Sequence, residues 1–192
     1  LNANADIVIS NDVTTSGGNL SFTADDNNNE NGEIIIDTAA VVNSAGGSIT
    51  IAGRGLNLAA GTTLSSGGAN ALITITSPAS YVALTNDIVL LGLLDVGAGS
   101  VNLNAVGEND IILANGAISS TSAVTLDAGT GDIVANAAND NIAEISAGNV
   151  VITGAATIGS STRAVELSTS DLAITDVSGS SFINIASTSN LQ

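Results

Sequence analysis

At 192 residues the chain is long enough to bury a core, yet only 10% of it is charged and 2% aromatic, while 44% is apolar and one residue is proline. Arg54 and Arg163 are the only basic residues against 18 acidic ones, for a formal charge of -16. That balance argues against a nucleic-acid partner or an anionic membrane surface, because both need Lys and Arg. There is no cysteine, so disulfides and thiol chemistry are excluded. No apolar run approaches the ~18 residues of a membrane span, which argues against membrane insertion.

Taken in chain order, short apolar segments return in a fixed succession. An acidic residue leads an apolar triplet at Asp6-Ile7-Val8-Ile9, a single apolar residue enters a turn at Val13, and an alternating triplet follows at Leu20-Ser21-Phe22. A polar insertion at 25–32 then lengthens one turn. The next round is Glu33-Ile34-Ile35-Ile36, Val42 and Ile49-Thr50-Ile51. Leu56-Asn57-Leu58, without the acid, precedes Leu64 and Ile73-Thr74-Ile75. Asp87-Ile88-Val89-Leu90, Val96 and Val101-Asn102-Leu103 follow, then Asp110-Ile111-Ile112-Leu113, Ile118 and Val124-Thr125-Leu126. After Asp132-Ile133-Val134-Ala135 come Ile145 and Val150-Val151-Ile152, and the chain between Ile152 and Ile158 is too short for a full acid-led strand. Ile158 with Val165-Glu166-Leu167, a fainter acid-led copy at Asp171-Leu172-Ala173-Ile174, Val177 and Ile183-Asn184-Ile185 complete the series.

From Leu20 to Ile183 is 163 residues over seven intervals, a period of about 23. Alternation with period two gives each strand one side in a core and one in water. No single round can bury its own apolar residues, so successive rounds must stack. The expected fold is an all-β, right-handed parallel β-helix (β-solenoid) with three strands per coil and about eight coils, some 40 Å long at ~4.8 Å per rung. It is expected to fill residues 1–192 as one segment, narrower or bent in its last third. Leu1 stands where a start methionine would, and both ends look like repeat, so a stretch of a longer rod is expected.

Segments such as Gly46-Gly47-Ser48-Ile49-Thr50-Ile51-Ala52-Gly53 and Gly131-Asp132-Ile133-Val134-Ala135-Asn136 resemble repeats of filamentous haemagglutinin-type exoproteins, large bacterial surface proteins of two-partner secretion. The resemblance covers most of the chain through degenerate motifs. It implies a secreted or cell-surface shaft of a bacterial adhesin, touching neighbouring coils and host or bacterial cell-surface molecules. It carries no catalytic residues over, and the Asn-Pro-rich motifs of that family's secretion domain have no counterpart here.

Two features are candidates for contact or binding. If the acid-led strands stack, Val8, Ile35, Val89, Ile112 and Val134 form an outward apolar row, an interaction strip for lateral packing of rods or for another part of the parent protein. The plainer alternative is ordinary burial in a different register. Asp87, Asp110 and Asp132 would then lie ~5 Å apart, a column that calcium could bridge, against the plainer reading that Asp suits a turn by bonding nearby backbone N–H groups. The 25–32 insertion, with Glu30 where an EF-hand needs glycine, reads as a solvated loop.

Other functions are weaker. A polysaccharide-degrading β-helix enzyme would have to work without His, Lys, Cys or Trp, with only Tyr81, Phe22 and Phe182 as sugar platforms. An ice-binding solenoid would use Thr50, Thr74 and Thr125, a row interrupted by Asn102, Glu166 and Asn184. The main alternative to a shaft is a self-assembling extracellular filament subunit packing through the apolar strip.

Overall fold

The computed structural model describes residues 1–25, 32–77 and 87–185. Of the expected 25–32 insertion, only Asp25 and Gly32 are among them; residues 26–31, Pro78, Tyr81 and the closing 189–192 lie outside the described residues. Among the described residues every regular element is a β-strand, and every ladder between named strands is parallel. The fold is a parallel β-solenoid of about six turns.

The acid-led segments form one continuous sheet. It stacks β1 (Ile7–Ile9), β4 (Ile34–Ile36), β7 (Leu56–Leu58), β10 (Ile88–Leu90), β13 (Ile111–Leu113) and β16 (Ile133–Ala135) in that order. The single-residue signals fall on β2 (Val13–Thr14), β5 (Val41–Asn43), β8 (Thr63–Ser65), β11 (Leu93–Gly97) and β14 (Ile118–Ser120), which pair in succession. The alternating triplets fall on β3 (Leu20–Thr23), β6 (Ile49–Ala52), β9 (Leu72–Ser77), β12 (Ser100–Ala105) and β15 (Ala123–Asp127), which also pair in succession. Leu56-Asn57-Leu58 takes the acid-led place, with Ile34 and Ile88 on either side of Leu56.

Register follows the inward side chains. Ile34, Leu56, Ile88, Ile111 and Ile133 stand one over another, as do Ile36, Leu58, Leu90, Leu113 and Ala135, and all are buried. A second pair of columns runs Ile49, Ile73, Val101, Val124, Val150 and Ile51, Ile75, Leu103, Leu126, Ile152. Each such side chain contributes about 1.5–3 kcal/mol when fully buried, and a slip of one residue would turn every one of them outward. Tight turns let the backbones approach. At Gly131, in the turn before β16, a Cβ would fall on the carbonyl of Asn109 in the turn below.

The last turns depart from the sequence reading. The acid-led sheet ends at β16, so the solenoid has about six turns and not eight. Beyond it, β17 runs unbroken from Ile145 to Gly154 and pairs with both β14 and β15. β18 (Val165–Ile174) lies along β17, with Leu167 over Ile145 and Leu172 over Val150. Val165-Glu166-Leu167 therefore continues the short-strand ladder, and Asp171-Leu172-Ala173-Ile174 the polar-faced one, each a face away from its expected place. β19 (Ile183–Ile185) pairs with Val165–Leu167. Ile158 stands over Ile133 of the acid-led sheet and not among the short strands. In β11 the ladder residue is Leu94, between Leu64 and Ile118, while Val96 sits in a local register shift between Asp95 and Gly97.

Candidate functional site

The outer face of the acid-led sheet carries two neighbouring rows. Val8, Ile35, Asn57, Val89, Ile112 and Val134 are register partners, so the five apolar residues named from the sequence share one line, broken by Asn57. Val8 is 57% exposed, and the other four are intermediate between buried and exposed, each flanked by two buried neighbours. Two residues before each apolar member, directly ahead of its strand, stand Asp6, Glu33, Asp87, Asp110 and Asp132; Gly55 fills the remaining rung.

The acids do more than suit a turn. Glu33 N–H donates to Asp6 Oδ1 at 2.9 Å, Asp110 N–H to Asp87 Oδ1 at 2.9 Å, and Asp132 N–H to Asp110 Oδ1 at 2.7 Å. Thr157 continues the series, its N–H and hydroxyl donating to Asp132 Oδ1 at 2.9 and 2.8 Å. The donor in each case lies in the next turn of the solenoid, not in the acid's own turn. Where the chain bends and the carbonyl ladder lapses, the carboxylate supplies the missing acceptor. Asp12 does the same for Val41 N–H and Asn19 for Ser48 N–H, both at 2.9 Å.

This arrangement sets the electrostatics. Burial, and then the neighbouring Asp87 and Asp132 charges, push the Asp110 carboxyl above the ordinary aspartate value, against the lowering effect of the Asp132 N–H. Burial, with Asp6 nearby, raises Glu33 likewise. Calcium at Asp87, Asp110 and Asp132 would meet carboxylates that each already hold a backbone N–H through Oδ1. Among the described residues no group of three or more acidic side chains is gathered closely enough to hold a metal ion.

A second carboxylate arrangement was not evident in the sequence. Glu144 and Glu166 are each only 1% exposed. Glu166 N–H donates to Glu144 Oε2 at 2.6 Å, while Glu166 Oε2 accepts Asp140 N–H at 3.1 Å and Asn141 N–H at 2.9 Å. Asn184 Nδ2 donates to Glu166 Oε1 at 2.8 Å. Burial is the main cause that raises the Glu144 carboxyl, whereas hydrogen bonds from Ile142 N–H and the Asn115 amide hold exposed Asp140 below the usual range. Glu166, expected to face water, is thus turned into a polar network between turns. The available signal was Glu144 before Ile145, which repeats the acid-before-isoleucine order of the other strands.

The threonine row is in register as far as it goes. Thr50, Thr74, Asn102 and Thr125 are successive partners, followed by Val151 and Ala173. Glu166 and Asn184 belong to a different ladder. Phe22 is buried in the interior, Phe182 is partly exposed near the last strand, and Tyr81 lies outside the described residues, so the described aromatics form no shared platform. Comparison with protein-family models, curated proteins and solved structures finds no match.

Replacing Asp110 separates its two roles. Asp110→Ala leaves the Asp132 N–H without its acceptor and is expected to cost about 1–3 kcal/mol in chemical denaturation. Asp110→Asn keeps an oxygen acceptor and removes a like charge, so its melting temperature at pH 7 should equal or exceed that of the wild type.

The stability of the fold depends on pH. Glu33, Asp110 and Glu144 have folded-state pKa values above their unfolded ones, so the folded chain takes up protons more readily. Their contribution to stability is full below the unfolded values near 4 and is lost as pH rises through the raised values. Relief of the -16 charge acts in the same direction. Asp140 opposes them, and only below its ordinary range. Calorimetry should give a higher melting temperature at pH 5 than at pH 7.5; the reverse order would contradict this assignment.

Proposed function

We propose that this chain is a length of a non-catalytic extracellular scaffold, the shaft of a bacterial surface adhesin. The observation that carries the reading is the inter-turn ladder: from β1 to β16 each acid-led strand lies on the one before through repeated aliphatic columns, a construction that lengthens by adding turns. Three strands per coil and a right-handed path belong to this proposal. Pairing between elements three apart from β1 to β16 supports the first. The strong preference of parallel crossovers supports the second.

The lack of His, Lys, Cys and Trp in the sequence favours a structural role over catalysis. The resemblance to filamentous haemagglutinin-type repeats favours a secreted or surface location. The filament-subunit alternative draws on the in-register apolar row. Against it, each copy brings a charge of -16 and only two cations to any rod-on-rod contact.

Antibodies raised against the folded chain test the scaffold reading on intact cells of the bacterium that produces it. Labelling of unpermeabilised cells, removed by external protease, is expected. Labelling that appears only after permeabilisation would overturn it.

A further inference from the structure

We propose that the acid-led face is a docking surface for a basic amphipathic helix of another protein, laid along the solenoid axis. Its apolar stripe would cover Val89, Ile112 and Val134, and its Lys or Arg stripe would meet Asp87, Asp110 and Asp132. This goes beyond the scaffold reading and holds wherever the chain is located.

The acid directly precedes each strand, two positions before the apolar residue, so the two rows lie within about 6.6 Å of each other, and both repeat at ~4.8 Å along the stack. Three successive rungs carry the full pair: Asp87 with Val89, Asp110 with Ile112, and Asp132 with Val134. Below the Gly55–Asn57 rung, two more carry Glu33 with Ile35 and Asp6 with Val8. The surface is therefore a pair of parallel tracks, one negative and one greasy.

An extended peptide laid along the axis would present same-side residues every ~6.6 Å, out of step with the rungs. A helix presents a given face once per 5.4 Å turn. The mismatch is about 0.6 Å per rung, or about 3 Å over five steps, within the reach of flexible lysine stems. A helix of about 16 residues spans the ~24 Å from the first rung to the sixth.

Charge decides the occupant. Each carboxylate uses Oδ1 to hold the next turn's N–H in the bonds described above, and has a second oxygen that these bonds do not use. Like charges stacked at this spacing repel, and a cationic stripe relieves that repulsion. This chain cannot supply such a stripe, since Arg54 and Arg163 are its only cations, so a second copy is a poor complement. The apolar row supplies the desolvated contact that a purely electrostatic encounter lacks.

The test uses the 192-residue chain and a fluorescent 18-residue helical peptide with adjacent Leu and Lys stripes. Its control is a scrambled peptide of the same composition, and binding is read by fluorescence anisotropy. The striped peptide should bind at least fivefold more tightly than the scrambled one. Val89→Thr with Ile112→Thr should weaken it at least fivefold. So should Asp87→Asn, Asp110→Asn and Asp132→Asn together, which keep an oxygen acceptor for each backbone N–H. Circular dichroism melts confirm that both variants fold. A smaller effect in either variant, or equal binding of the scrambled peptide, would overturn the proposal as general attraction to an acidic rod. So would a wild-type dimer in sedimentation that the threonine pair disperses, which would assign the face to rod-on-rod packing.

Discussion

The structure depends on one repeated contact, the parallel backbone ladder that lays each turn on the next while closing an aliphatic interior between them. Neither half of that contact stands alone. A short strand of three or four residues exposes unpaired N–H and C=O groups on both edges, and its two or three apolar side chains have nothing to bury against until a neighbour arrives. Stacking answers both needs at once, which is why Ile34, Ile88, Ile111 and Ile133 fall in one column with Leu56.

At the corners the same logic recruits side chains. Where the chain turns, the ladder runs short of carbonyls, and Asp6, Asp87, Asp110 and Asp132 supply oxygens to the turn above. The buried Glu144–Glu166 pair applies the device deeper in the structure, where β17 and β18 replace the earlier corners with long strands. The acidity of the chain is thus partly architectural. Its cost is like-charge crowding along one face, and that crowding gives the face its chemical character.

Much of this was legible because strand alternation and a period near 23 leave a direct trace in sequence. The columns through Ile49, Ile73 and Val101, and the assignment of Leu56-Asn57-Leu58, follow from it. The last turns were not legible. Val165-Glu166-Leu167 has the alternation of the polar-faced family, yet Glu166 is buried by bonds to Asp140, Asn141 and Asn184, partners that no local pattern announces. The Leu90–Val96 stretch offers several apolar residues to a ladder that needs one, and Leu94 takes the place that the spacing predicts for Val96. The acid row is plain in the sequence, but its donors lie 22 to 27 residues further on and become visible only when the turns are stacked.

The most direct test of the stacked architecture uses the chain's freedom from cysteine. Thr74 and Asn102 face outward on adjacent rungs and are register partners, whereas Thr74 and Thr125 are two rungs apart. Adjacent rungs bring Cα atoms to ~4.8 Å, within disulfide range, and two rungs separate them by about 9.6 Å. Under mild oxidation the Thr74→Cys/Asn102→Cys variant should form an intramolecular disulfide, and Thr74→Cys/Thr125→Cys should remain reduced. A disulfide in the second pair and none in the first would contradict the stacked solenoid itself.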